Sequence, residues 1–308
     1  MERKLIKQGG GGYTIYLPKT WVDRKGLHSG DKVNLIEKES SLVIQSEALK
    51  NKEFHLFLNK GNENNLSPLI THLYRQGYNK IIIESLNKDS HIEIKKIQEK
   101  LLLGFEITKK EKSSCTLENI SEPSNQKYNV MIDKLFFLIN EALSLLLEDS
   151  QLNKWQNMQD IQEIKDQHDK FSLFCKRIIV KESEQNNLIL NWEFLTFLTH
   201  IIHNIYYLYS HLNKTKSKIS SKTIDLLKSC KKYFILFEES YKTKNIDAIN
   251  KINLDKKEYH FGSCLKQLSL SKGNETIALS YIRELFRLIQ IGTSPIISLI
   301  IDEKTTSV

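Results

Sequence analysis

The chain has 308 residues and a formal net charge of +8, with an isoelectric point near 9.0. That length allows two or three domains, and the positive balance admits a nucleic acid or another anionic partner without proving one. Cys115, Cys175, Cys230 and Cys264 are scattered with no CxxC pair, which argues for reduced, packed thiols and against a disulfide framework or a zinc site. No apolar signal region opens the chain, and the longest apolar stretches, around Phe136 and Ile296, read as far short of a membrane span. A cytoplasmic protein without membrane insertion is expected.

Within the first fifty residues, apolar and polar side chains alternate from Tyr13 to Leu17. Pro18 can open a short helix, and Gly26 stands where a helix C-cap is wanted. Gly30-Asp31 supplies a turn, and strand character resumes over Lys32 to Ile36 and Leu42 to Ile44, around the polar break Glu39-Ser40-Ser41. Such a segment is too small to bury a core of its own, so it is expected to need a partner.

Several spaced elements agree with one family. The basic start Arg3-Lys4-Leu5-Ile6-Lys7, the turn Gly9 to Gly12, the run Leu17-Pro18-Lys19-Thr20-Trp21 and the run from Gly26 to Val33 resemble the AbrB/MazE/SpoVT swapped-hairpin DNA-binding domains. Gly9 to Gly12 does not fit a phosphate loop, because no Gly-Lys-Ser/Thr follows it. The resemblance implies an intertwined homodimer presenting basic strands and loops to DNA. Arg3, Lys4, Lys7, Lys19, Arg24 and Lys25 cluster in the first half of the segment, and the acids Glu37, Glu39 and Glu47 in the second. Doubled by a twofold axis, those six cations would neutralise phosphates from two sides. Trp21 and Tyr13 fit a dimer core better than a base-stacking platform.

From Glu53 to Ile120 the pattern is strand, helix, strand, helix, strand. Phe54 to Leu58 alternates; Leu66, Leu69, Ile70 and Leu73 have helical spacing; Ile81-Ile82-Ile83 is a short buried strand; Ile92 to Leu103 is amphipathic; Phe105 to Thr108 begins a third strand. Gly77 and Gly104 follow the two helices as stop signals. A small layer of two helices on one sheet is expected. It resembles the linker domain of archaeal PhoU-like proteins. His55, His72 and His91 are isolated and suggest no catalytic set.

Ser121 to Asn125 breaks the pattern as a linker, and helical periods then dominate. Met131, Leu135, Leu138, Ala142 and Leu145 trace one helix face; Ile164, His168, Phe171, Cys175 and Ile178 trace a second. Trp192 to Leu212 and Thr223 to Tyr241 make a third and fourth helix, shorter helices fill Ile246 to Leu270, and a last one runs from Glu275 to about Ile301 with Gly292 and Pro295 as kink points. An antiparallel bundle follows. It resembles PhoU, the phosphate-uptake regulator, most clearly over "EIKDQHDKFSLFCKRIIV", "FLTHIIHNIYYL" and "YIRELFRLIQIGTSPII".

The family's Glu/Asp-xxx-Asp metal motifs fall here on Thr199 with His203 and on Ile289 with Thr293, neither a carboxylate pair. His200 and His203 fit packing better than a metal, and Asp166 with Asp169 fit a solvated face or ion pairs with Lys170 and Arg177. No Ser-His-Asp order, P-loop or paired acid and base stands out, so no enzyme, metal or cofactor is expected.

The expected fold class is thus multidomain and mainly α. It comprises an N-terminal swapped-hairpin β domain over 1–50, a small α/β linker domain over 52–120 and a C-terminal PhoU-like antiparallel helical bundle over 126–308. The resemblances imply a dimeric DNA-binding transcriptional regulator in phosphate homeostasis, its bundle a sensor or docking module. Two alternatives stay open: an interaction protein for a phosphate transporter or signalling kinase without DNA binding, and an antitoxin-like regulator.

Overall fold

A computed structural model describes residues 2–9, 11–38, 41–46, 52–59, 65–121, 125–181 and 187–305. Glu39, Ser40, Glu47 and most of the expected linker, residues 122–124, lie outside the described residues. The protein is mainly helical with small β-sheets, and its chain divides into two units, Met1–Lys52 and Glu53–Val308.

The first unit holds two separate hairpins and a short helix. Strands β1 (Ile6–Gln8) and β2 (Gly12–Thr14) pair antiparallel, with Lys7 opposite Tyr13. Pro18, at φ −60°, leads into α1 (Lys19–Arg24). That helix closes on Gly26, whose φ of +62° is the left-handed conformation such an ending demands. There Gly26 N–H donates to Asp23 O and Leu27 N–H to Val22 O, both at 3.1 Å, which satisfies two of the helix's last carbonyls. Strands β3 (Val33–Lys38) and β4 (Ser41–Ser46) form the second hairpin, with Leu35 opposite Ile44 and Glu37 opposite Leu42.

The second unit begins with a four-stranded sheet in the order β5-β6-β8-β7. Strands β5 (Glu53–Phe57) and β6 (Lys80–Glu84) are parallel, joined through α2 (Leu66–Arg75). After α3 (Lys88–Leu101) come β7 (Phe105–Lys110) and β8 (Ser114–Asn119), which turns back to lie between β6 and β7. The sequence pattern contains the first three strands and both helices but not β8. Cys115 and Leu117 are buried on the face shared with Ile81 and Ile83, while Thr116 lies on the opposite face beside Ile82 and is buried between neighbouring strands. Gly77 (φ +83°) ends α2 with Tyr78 N–H on Leu73 O and Gly77 N–H on Tyr74 O.

Helices α4 (Asn125–Leu152), α5 (Met158–Lys181), α6 (Leu188–Thr215) and α7 (Ser221–Thr243) follow. Then come α8 (Ile246–Asp255), a π-turn at Tyr259–Ser263, α9 (Cys264–Leu270) and α10 (Asn274–Thr305). α5 packs against α4 and α6 on one side and against α2 and α3 on the other, so the α/β layer and the helices share one compact unit. Phe136, Phe194, Phe234, Phe237 and Tyr241 cluster in the core, Phe194 stacking on Tyr241 at 4.4 Å. α10 runs on through Gly292 and Pro295. A Cβ at Gly292 would lie 3.1 Å from the Phe237 ring, so glycine permits that close approach. By length and composition α10 is apolar enough to cross a membrane, contrary to the sequence reading; 56% of its apolar window is buried inside the protein, as in a core helix. All four cysteines are unpaired and buried.

The turn from α4 to α5 is fixed by Asp149, which is 1% exposed. Its carboxylate accepts from Gln156 N–H (2.9 Å), Asn157 N–H (3.3 Å) and Asn157 Nδ2 (3.0 Å), and from the Tyr209 hydroxyl. The first backbone donors before α5 are thereby satisfied.

Candidate nucleic-acid interface

The first unit lacks what a folded unit ordinarily has: none of its residues whose side chains are described is buried. Leu5 (68% exposed), Tyr13, Tyr16, Leu35 and Leu42 stand largely in solvent, with Ile6 and Ile15 also exposed. Leu35 and Leu42 lie on one face of the second hairpin with Val33 and Ile44, and Val43 on the opposite face. A two-stranded ribbon with Leu35 and Leu42 exposed on one face is short of the burial that offsets chain entropy.

The basic side chains are available on the same unit. Arg3 and Lys4 precede β1, Lys7 lies in it, Lys19 and Arg24 open and close α1, and Lys25 caps it. Arg3, Lys4, Lys7, Lys19 and Arg24 are exposed; Lys25 is half-buried. Arg24 and Lys25 sit at the C-terminal end of α1, the end of a helix dipole that favours cations. Chemically the six can contact phosphates. Tyr13 is exposed and Trp21 half-buried, so the single chain supplies neither with a core.

In the helical unit the expected ion pairs are rearranged. Asp166 meets Lys100 (3.2 Å) and Lys165 (3.3 Å), and Asp169 meets Lys165 (2.9 Å) and His203 (2.8 Å). Lys170 instead donates to Glu99 O, and Arg177 lies two helical turns beyond Asp169 and reaches into the α/β layer. Burial works to raise the Asp169 carboxyl, but His203 and Lys165 outweigh it and hold it below the usual carboxylate value.

Of the positions where the sequence resemblance would place metal carboxylates, Thr199 donates to Leu195 O, Ile289 is fully buried and Thr293 donates to Gln290 O. Among the described residues no three His, Cys, Asp or Glu side chains converge as a metal site. Sequence reasoning missed the Asp169–His203 pair, because the two residues stand on separate helices and spacing within one segment carries no sign of it. No family model, curated protein or solved structure matches this chain.

Proposed function

We propose that the protein is a homodimeric DNA-binding regulator of the cytoplasm. Its first fifty residues form a swapped-hairpin domain of the AbrB/MazE/SpoVT kind, and its helices a PhoU-like bundle that senses a signal or docks a partner in phosphate homeostasis. One observation supports the reading above all: the first unit buries none of the residues whose side chains are described, while exposing Leu35 and Leu42 and five of the six basic side chains named above. Interleaving two copies would cover the apolar side chains, and the twofold axis would double the cations. The family link to phosphate rests on the sequence resemblance of the bundle.

Light scattering tests the first half: the chain of 36.0 kDa should run at twice that mass. Leu35→Asp together with Leu42→Asp should return it to the monomer. A gel-shift titration tests the second half, with the Lys4→Ala, Lys7→Ala, Arg24→Ala triple variant expected to lose the shift while remaining dimeric. A wild-type monomer, or a triple variant that shifts DNA as well as wild type, contradicts the proposal.

A further inference from the structure

Where the α/β layer meets the bundle, a cavity of about 240 Å³ opens between α2, α5 and α6. Its lining comes from one face of each helix. Ser67, Thr71 and Arg75 recur every four residues on α2; Asp169, Ser172, Leu173 and Lys176 follow the 3–4 spacing on α5; Thr199 and His203 are four apart on α6. Two of these side chains are cations without an anion. Lys176 is 6% exposed. Among the described residues neither it nor Arg75 forms an ion pair; each instead lies over the Trp192 ring, at 5.3 and 5.5 Å from its centroid. Arg75 Nη2 otherwise rests on the neighbouring His72 ring, 2.7 Å from Nδ1.

Burying an uncompensated ammonium costs several kcal/mol, and an aromatic face returns only part of that, about 0.5–2 kcal/mol. A second cation beside it adds repulsion. Burial first, and then the Arg75 charge, push the Lys176 amine down to about 8, so it still carries its proton at neutral pH. Asp169 also borders the cavity, but Lys165 and His203 already engage its two oxygens. The hydroxyls of Thr71 and Thr199 donate to main-chain carbonyls of their own helices, and Ser172 bonds to Thr199. The lining therefore holds an excess of positive charge around a polar space: Asp169 favours the Lys176 charge, but less than burial and Arg75 oppose it, and among the described residues it makes no ion pair with either cation.

We infer that this cavity binds a small oxyanion, of the phosphate or sulfate type, between the guanidinium of Arg75 and the ammonium of Lys176. Arg75 offers a planar fork and Lys176 a point charge, the usual complement for a tetrahedral anion. The site stands on the geometry of the second unit alone and is independent of DNA binding by the first.

Isothermal titration of the full chain in a buffer free of oxyanions tests it, with inorganic phosphate, sulfate and glycerol phosphate as separate titrants. Saturable binding of one ion per chain is expected. A preference for glycerol phosphate over the free ions would identify the ligand as the phosphoryl group of a larger compound. Lys176→Met and Arg75→Gln should each weaken binding by roughly tenfold or more, the loss of one charge-assisted hydrogen bond. Lys176→Met should also raise the melting temperature of the ligand-free protein, because it removes an unpaired buried charge. The inference is overturned if none of the titrants binds at millimolar concentration. It is equally overturned if binding persists unchanged in both variants, the mark of an ion held elsewhere. Should Lys176→Met fail to fold, Arg75→Gln and the wild-type titration decide the matter on their own.

Discussion

Replacing Arg177 tests how the helices hold the α/β layer. This arginine of α5 is fully buried, and its guanidinium donates to Tyr74 O (2.8 Å), Tyr78 O (2.7 Å) and Asn79 Oδ1 (2.9 Å). It lies over the rings of Tyr74 and Phe105, 5.1 and 4.9 Å from their centroids. Tyr74 is in the last turn of α2, where carbonyl groups gather negative partial charge. In Arg177→Ala, Tyr74 O keeps Gly77 N–H and Asn79 Oδ1 keeps Lys181, which softens the loss. The two ring contacts, at about 0.5–2 kcal/mol each, and the hydrogen bonds to the charged group, at about 1.5–3 kcal/mol each, disappear. Hydration of the guanidinium in the unfolded chain, which the arginine gives up on folding, offsets several kcal/mol of that sum. A net destabilisation of about 3–4 kcal/mol follows, with a cavity contribution in the same direction.

Urea denaturation measures that loss, and amide exchange locates it: α2 and the sheet should lose protection before α6 and α10 do. Arg177→Lys keeps the charge but not the fork, and should fall between the alanine variant and wild type. A loss below about 1 kcal/mol in the alanine variant, or uniform loss of protection across the unit, refutes the clamp.

Two further outcomes follow from buried polar groups. Asp149→Ala strands the Gln156 N–H and the Tyr209 hydroxyl proton, at about 1–3 kcal/mol each, while Asn157 N–H keeps the Tyr209 oxygen at 2.7 Å, so a loss of roughly 2–6 kcal/mol is expected by chemical denaturation; a loss near zero would mean that water replaces the carboxylate. His168 is fully buried, neither ring nitrogen has a hydrogen-bond partner among the described residues, and burial pushes it down to about 3. Between about pH 6.5 and 3 the unfolded chain takes up a proton there that the folded one refuses, so stability falls with pH by about 1.4 kcal/mol per unit. His168→Leu should then lose about 2 kcal/mol less than wild type between about pH 6.5 and 5; parallel stability curves would contradict this.

What the sequence made legible were features carried by local pattern. The helix periods from Met131 onward, the strand Ile81-Ile82-Ile83 and the helix endings at Gly26 and Gly77 each depend on residues within a few positions of one another. Strand β8 was hidden because its alternation carries only two apolar side chains, Cys115 and Leu117, among Ser, Thr, Glu and Asn, and offers no run of large apolar residues. The pairings of Arg177 with Tyr74, Tyr78 and Asn79 span roughly a hundred positions, and those of Asp169 with His203 and of Arg75 and Lys176 with Trp192 join separate helices. Spacing within one segment carries no trace of such contacts. The basic residues of the first unit were visible as charge, and its shortness already implied a missing core; which apolar side chains stand exposed, Leu35 and Leu42 among them, emerged from the structure.

The salt dependence of DNA affinity, measured by fluorescence anisotropy for wild type and for the Lys4→Ala, Lys7→Ala, Arg24→Ala variant, tests the central claim most directly. A dimer of the variant lacks six cations, three from each copy, so the slope of log K against log salt should become shallower by up to about 5. Affinity at low salt should fall with it. A wild-type protein with no measurable affinity at low salt, or a variant with the same affinity and slope, would contradict the account.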